Sequence, residues 1–291
     1  MPSIVPLRSA NQYNYLCRSN QLKACLNQDT LRKAPFDKFL SVAKRTGFEA
    51  IEFTVDKIEP ILDTNEIMKL RTKIDEEKLK TASINGPENF NLLSERDFSD
   101  LLTRTKKLSS CATTLNCDLL LPVPATNQSG MGKAVVIERT VRSLEKLSDV
   151  CGDEVRLGLE FLGIHNCSIN TLKDGVEVVR RVGRSNVGLT LDSFHSYLSG
   201  EDFAEIAKLD RDEIFMVHVN DCEKGLRENM TDANRLFPGE GAIDLQNFLS
   251  RVREVGYDDY VSLELLRPAY WDRDPEEIAT IGRQSLKRFN I

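Results

Sequence analysis

The chain has 291 residues, of which 41% are hydrophobic and 29% charged, and it carries a formal net charge of −6. A chain of this length can bury a full core without disulfides, and its negative charge argues against a nucleic-acid backbone as the main ligand. We therefore expect no nucleic acid as a partner. No apolar run reaches membrane-spanning length, so we also expect no membrane as a partner.

Residues 1–21 are predicted to be a short N-terminal extension, and they show no signal-peptide hydrophobic region. Arg8, Arg18 and Lys23 precede the first acidic residue, Asp29, which hints at a transit peptide, but a plain extension is the preferred interpretation. The seven cysteines are scattered and include no C-x-x-C pair, which is typical of free thiols in a reducing compartment. We therefore expect a cytoplasmic protein.

Eight short runs rich in Val, Ile and Leu recur along the chain, as expected for strands that are buried on both faces. The predicted strands are Leu22–Leu26, Ala50–Thr54, Lys80–Ile84, Asp118–Val123, Val155–Leu162, Val187–Leu191, Ile214–Val219 and Tyr260–Leu265.

Helical patterns occupy the intervals between these runs. One predicted helix places Val141, Leu144, Leu147 and Val150 on a single face. The last helix begins at Asp274, followed by a proline and two glutamates, which is a typical helix start.

Strands that alternate with helices predict an α/β fold, and eight such pairs predict a single-domain (β/α)8 TIM barrel over residues 22–291. The alternative is a doubly wound open sheet, which usually has a glycine-rich loop after its first strand. Here Asn27-Gln28-Asp29-Thr30 contains no glycine, which favours the barrel.

Titratable side chains stand at the ends of the last four predicted strands: Glu160, Asp192, His218 and Glu264. Active sites of TIM barrels lie at these carboxyl ends, and an isolated buried carboxylate is costly unless it is paired or metal-bound. Three carboxylates and an imidazole suit one divalent metal ion: Mn²⁺, Zn²⁺, Co²⁺ or Mg²⁺. A buried ion-pair network would instead need cationic partners, and the strands offer none.

Two further residues follow these strands. His195 lies three residues beyond Asp192 and could be a substrate hydrogen-bond donor, a second metal ligand or a helix cap. Asp221 could orient a ligand or a substrate hydroxyl.

The motifs LEFLG, NVGLTLDSFH, LFPGEGAIDL and SLELLRPAYW resemble those of the xylose-isomerase-like TIM barrels, and within that superfamily those of the inosose isomerases. KACLNQDTL, GFEAIEF and SING extend the resemblance, which covers roughly residues 22–289.

This resemblance implies metal ligation by the four strand-end residues, and it implies that His195 contacts the substrate or lies close to the metal. It also points to substrate-binding residues around the pocket, in addition to Asp221: Asn27, Glu52, Asn85, Arg235 and Arg267. One departure is Ala269, where relatives often carry an acid; either the substrate differs or the position is a surface substitution.

The function implied is a metal-dependent isomerase or epimerase of a small polyhydroxy ketone (an inosose or ketose) in carbohydrate metabolism, specifically inositol catabolism. Glu160, Glu264 and His195 are the expected catalytic residues, with a proton moved through a metal-bound enediolate. The partner is a small molecule, and a homo-oligomer is possible.

Three alternatives remain. A 3-dehydroshikimate dehydratase-like lyase would use the same scaffold and metal, and Arg235 or Arg267 would clamp an acidic substrate. A type IV apurinic endonuclease-like nuclease needs more histidines than the three present. A catalytically silent barrel would bind sugar without turnover.

Overall fold

The structure, a computed structural model, describes residues 21–127 and 130–291, so all but Gln21 of the predicted extension lies outside the described residues. Eight parallel strands form a closed barrel. They are β1 Lys23–Asn27, β2 Ala50–Thr54, β3 Lys80–Glu88, β4 Leu119–Val123, β5 Arg156–Glu160, β6 Val187–Asp192, β7 Ile214–Val219 and β8 Tyr260–Leu263. The predicted α/β barrel is therefore confirmed, with each strand within a few residues of its expected position.

Helices surround this barrel and cover its outer face. They are α1 Phe36–Thr46, α2 Val55–Ile58, α3 Glu66–Glu76, α4 Glu95–Thr114, α5 Lys133–Cys151, α6 Leu172–Val182, α7 Ser193–Ser199, α8 Leu245–Glu254, α9 Pro268–Trp271 and α10 Pro275–Lys287. Among the described residues, none of the helices has the length and apolar character needed to cross a membrane.

Two of the predicted helices can be compared in detail. Val141, Leu144 and Leu147 are buried on α5 as expected, but Val150 is only half-buried, because the buried face continues through Ser148 instead. Asp274 caps α10, since its side chain accepts hydrogen bonds from two backbone amides of the first turn.

The barrel interior has an apolar floor and a polar mouth. The floor contains a cluster of buried apolar side chains: Cys25, Ala50, Ala82, Leu119, Leu121, Phe215 and Met216. Nearer the carboxyl ends of the strands, the buried residues become polar and charged. The lower part of the barrel is therefore a packed apolar core, and the polar groups that could carry out a reaction lie at the mouth.

The segment after β7 forms a short antiparallel ribbon, in which Asp221–Cys222 pairs with Arg235–Leu236. This ribbon brings residues that follow β7 back over the mouth before α8 begins.

Candidate metal centre

The four strand-end residues predicted as ligands come together at the mouth. Glu160 and Asp192 end β5 and β6, His218 lies near the end of β7, and Glu264 directly follows β8. One ligand atom from each lies within 4.8 Å of the others, and all four residues are buried. Neighbouring parallel strands place their ends at one rim, so the sequence order becomes a spatial cluster.

The imidazole of His218 points its two nitrogens to different partners. Nδ1 faces the cluster, 3.2 Å from Glu160 Oε1, 3.2 Å from Glu264 Oε2 and 3.9 Å from Asp192 Oδ2. Nε2 faces the other way, 3.1 Å from Glu52 Oε2. Nδ1 is therefore the nitrogen that could bind a cation.

Arg235 enters this cluster from the ribbon. Its Nη1 lies 2.7 Å from Asp192 Oδ2 and 2.9 Å from Glu264 Oε2, and its guanidinium stacks on the Phe194 ring at 4.9 Å. No cationic partner was expected from the strands, and the eight strands that the structure describes indeed supply none. The site nevertheless contains one, Arg235, because the ribbon after β7 supplies it.

Negative charge nevertheless exceeds positive charge in this buried volume. One arginine and one histidine face four carboxylates: Glu52, Glu160, Asp192 and Glu264. Burial raises the pKa of Glu160 to about 7. Burial also opposes ionisation of Asp192, but the neighbouring Arg235 guanidinium, together with the His218 ring, holds its pKa below the usual range.

For His218, burial disfavours the charged ring, yet the surrounding carboxylates raise its pKa well above the ordinary value. An excess of buried carboxylate charge, with three oxygen donors and one nitrogen donor converging, is the setting that a divalent cation stabilises. The residues present therefore fit a metal ion.

His195 sits in the first turn of α7, which Asp192 caps through Oδ1. Its Nε2 lies 3.1 Å from Arg235 Nη2, and its buried Nδ1 has no hydrogen-bond partner within residues 21–127 and 130–291. Burial lowers the pKa of His195. Because Arg235 Nη2 can only donate, His195 Nε2 must accept, and the hydrogen of the ring therefore resides on Nδ1.

Asn27 and Asn85, which the resemblance places in the pocket, both contact Glu264. Asn27 Nδ2 donates to Glu264 Oε1 at 3.0 Å and to Glu52 Oε1 at 2.8 Å, and Asn85 Nδ2 donates to Glu264 Oε1 at 3.2 Å. These amides fix one oxygen of Glu264, so Oε2 is the oxygen that faces the cluster.

Asp221 is not brought into the cluster. Its two oxygens accept from the backbone amides of Cys222, Gly239, Gly241 and Ile243 at 2.8–3.0 Å. A Cβ on Gly241 would lie 2.5 Å from Asp221 Oδ1, so only glycine allows this close approach. The carboxylate is occupied in holding the segment after the ribbon, which does not agree with the expected substrate contact.

Arg267 has a similar structural position. It donates from Nη1 to Ala233 O at 3.0 Å, and its Nη2 lies 2.7 Å from Glu223 Oε1. It braces the backbone next to Arg235 from outside the cluster. Ala269 is exposed on α9, which favours a surface substitution at that position.

Comparisons with known proteins agree with this fold. A model of the family described as xylose isomerase-like TIM barrel matches residues 40–289. An inosose isomerase of Halalkalibacterium halodurans is 32% identical over 259 residues, 88% of this chain and 92% of that protein.

An inosose isomerase of Bacillus subtilis is 32% identical over 91% of this chain and 96% of its own length. A solved structure of the IolI protein with a zinc atom superposes with a TM-score of 0.88 at 30% identity, and the match covers 92% of this chain and 98% of that one.

Proposed function

The chain belongs to the xylose isomerase-like TIM barrel family, and on that basis we propose that it is a divalent-metal-dependent isomerase or epimerase of a small polyhydroxy ketone, with an inosose as the leading candidate. The observation that carries this proposal is the convergence of four ligand atoms at the barrel mouth. We place the activity in cytoplasmic inositol catabolism.

We assign the binding of one cation to Glu160, Asp192, His218 and Glu264, a donor set that accepts Mn²⁺, Co²⁺, Mg²⁺ or Zn²⁺. When bound, such a cation polarises the carbonyl group of a ketone and stabilises the negative charge that develops on its oxygen. The protein's own residues must hold the substrate and move the proton.

Glu160 and Glu264 are the groups that we assign to proton transfer. Glu160 Oε1 and Glu264 Oε2 each lie 3.2 Å from His218 Nδ1, so the two carboxylates border the same small volume. Isomerisation removes a proton beside the carbonyl and returns one at a neighbouring carbon or on the other face. Two bases that border one substrate can divide these steps between them.

His195 is assigned to substrate binding. Its Nδ1 is buried and without a partner among the described residues, and a buried N–H group is costly when it has no acceptor. A substrate hydroxyl or carbonyl oxygen would supply that acceptor. Arg235, which holds the opposite nitrogen, would keep the ring in the tautomer that donates.

The charges around the site favour an uncharged substrate. Arg235 is already paired with Asp192, Asp232 and Glu264, and Arg267 is paired with Glu223. Neither guanidinium is free for the bidentate clamp that a phosphate or carboxylate usually receives. This arrangement supports a neutral inosose over the acidic substrate of a dehydratase.

A substrate screen tests the proposal. The protein, loaded with Mn²⁺ or Zn²⁺, is incubated with inososes, ketohexoses and 3-dehydroshikimate, and products are identified by NMR, with chelator-treated protein as the control. We expect an inosose to give an isomer of unchanged formula. Turnover of 3-dehydroshikimate alone, with loss of water, would establish the dehydratase instead, and no turnover of any substrate would contradict the isomerase.

A further inference from the structure

We propose that Glu52 is a positioning residue of the metal centre: it accepts the hydrogen on His218 Nε2 and thereby leaves the Nδ1 lone pair to the cation. The sequence placed Glu52 among the substrate contacts. This inference rests on the proposed metal centre and assigns Glu52 a different partner.

The geometry joins two strands that are not neighbours in the barrel. Glu52 lies on β2 and His218 on β7, and their side chains meet inside the barrel with Nε2 and Oε2 3.1 Å apart. Both side chains have 0% exposed surface. Water therefore does not compete for this hydrogen bond, which makes it stronger than one at the surface.

The proton count of the imidazole explains why this contact matters. A neutral ring carries one hydrogen, and a cation can bind only the nitrogen that lacks it. With a carboxylate at Nε2, the hydrogen is held there and Nδ1 presents its lone pair to the Glu160, Asp192 and Glu264 oxygens. In a metal-binding histidine, the nitrogen that does not bind the metal carries the hydrogen. A carboxylate that accepts a hydrogen bond from this N–H orients the ring and raises its basicity.

The contact with Asn27 requires the second oxygen of Glu52 to be an acceptor as well. Glu52 Oε1 accepts from Asn27 Nδ2 at 2.8 Å, and Oε2 faces His218, so both oxygens must accept. A glutamine cannot meet this demand. Its NH₂ group would face either the NH₂ of Asn27 or Nε2 of His218, and the second arrangement drives the ring hydrogen to Nδ1 and blocks the metal.

The first measurement is metal affinity. Zn²⁺ binding to wild type, Glu52→Gln and Glu49→Gln is measured by competition with a chromogenic chelator. Glu49 is the matched control, because it is an exposed glutamate just before β2. We expect Glu52→Gln to bind Zn²⁺ about 10–100-fold more weakly, and Glu49→Gln to match wild type. Equal affinity for Glu52→Gln and wild type would overturn the proposal.

The second measurement needs no folded variant of Glu52. The chain has three histidines, so ¹⁵N-histidine spectra of the Zn²⁺-loaded wild type are simple, and His165→Gln and His195→Gln assign the His218 signals. We expect hydrogen on Nε2 and the metal at Nδ1; the opposite tautomer overturns the proposal. Wild type that binds no Zn²⁺ would overturn the metal centre itself, an outcome distinct from a failure of Glu52 alone.

Discussion

Glu264 divides its two oxygens between support and chemistry. Oε1 accepts from Asn27 and Asn85, whereas Oε2 faces Arg235 and His218. Such hydrogen-bond donors offset the cost of burying a carboxylate. Because the amides hold one oxygen in place, the other is presented in a fixed direction, which is what a base requires when its substrate must lie within hydrogen-bond reach.

Glu160→Gln and Glu264→Gln should each lower turnover by about 10²–10⁴-fold, because a glutamine keeps the shape but cannot accept the proton. In D₂O, the wild type should also introduce deuterium at the carbon next to the carbonyl. NMR of the product measures the exchange, and metal content is determined in every variant, because a lost ion would mimic a lost base. Product without deuterium from metal-loaded, active enzyme would favour a hydride shift.

His195→Ala should weaken catalysis while leaving the metal bound, since the His195 side chain contacts Arg235 and His195 is not one of the four residues that converge as ligands. Steady-state kinetics and metal analysis on the same preparation separate the two effects. Loss of the metal together with activity would indicate that His195 is a ligand, contrary to the assignment above.

Among the elements, the segment after β7 was the hardest to predict. The strand-end residues could be identified because strands that are buried on both faces appear as continuous apolar runs, and a charge at the end of such a run is conspicuous. Arg235 lies 16 residues beyond the end of β7, in a ribbon whose pairing depends on contacts with Asp221 and Cys222. No local periodicity encodes such a contact, so the pairing of Arg235 with the carboxylates was not predicted, although the resemblance had placed Arg235 in the pocket.

Asp221→Asn should destabilise this segment, because one oxygen is replaced by an NH₂ group that faces the backbone amides of residues 239–243. Leaving buried N–H groups unsatisfied lowers the free energy of unfolding by about 1–3 kcal/mol. Urea unfolding measures this loss, and limited proteolysis shows whether cleavage moves to residues 223–243. Asp272→Asn, at an exposed aspartate, is the control; equal behaviour of the two variants would refute the assignment.

Across the whole molecule, the strand count, the closure and the choice of rim followed from the sequence, because a (β/α)8 barrel leaves few alternatives once eight such units are recognised. The pairing of β8 with β1 confirms the closure, with Tyr260 beside Lys23. The orientation of individual side chains could not be predicted from the sequence. Glu52 could not be distinguished from a substrate contact until its distance to His218 was known.

All seven cysteines should be reduced, and six of them are free and buried within the part of the chain that the structure describes. Burial raises the pKa of Cys117 to about 12 and that of Cys151 to about 11, from an ordinary value of 9.0. These thiols should react very slowly with iodoacetamide at pH 8, because the thiolate is the nucleophile.

The same shifts give a pH dependence. Above pH 9 the folded chain retains thiol protons that the unfolded chain releases, so the free energy of unfolding should fall as the pH rises from 9 towards 11. Urea unfolding at a series of pH values measures this. Thiol titration in denaturant without reductant should count seven; a count near one would mean three disulfides and contradict a cytoplasmic location.

The closure of the barrel has a consequence for the order of events during synthesis. The cation ligands occupy positions 160, 192, 218 and 264. Strand β1 is synthesised first, but it can pair with its second neighbour, β8, only after that last strand has been synthesised. Nearly the whole chain must therefore be synthesised before the carboxylates that surround His218 can come together. Until then Asn27 lacks its contact with Glu264 and Glu52 lacks its contact with His218, and the nascent chain holds no complete set of ligands for a metal ion.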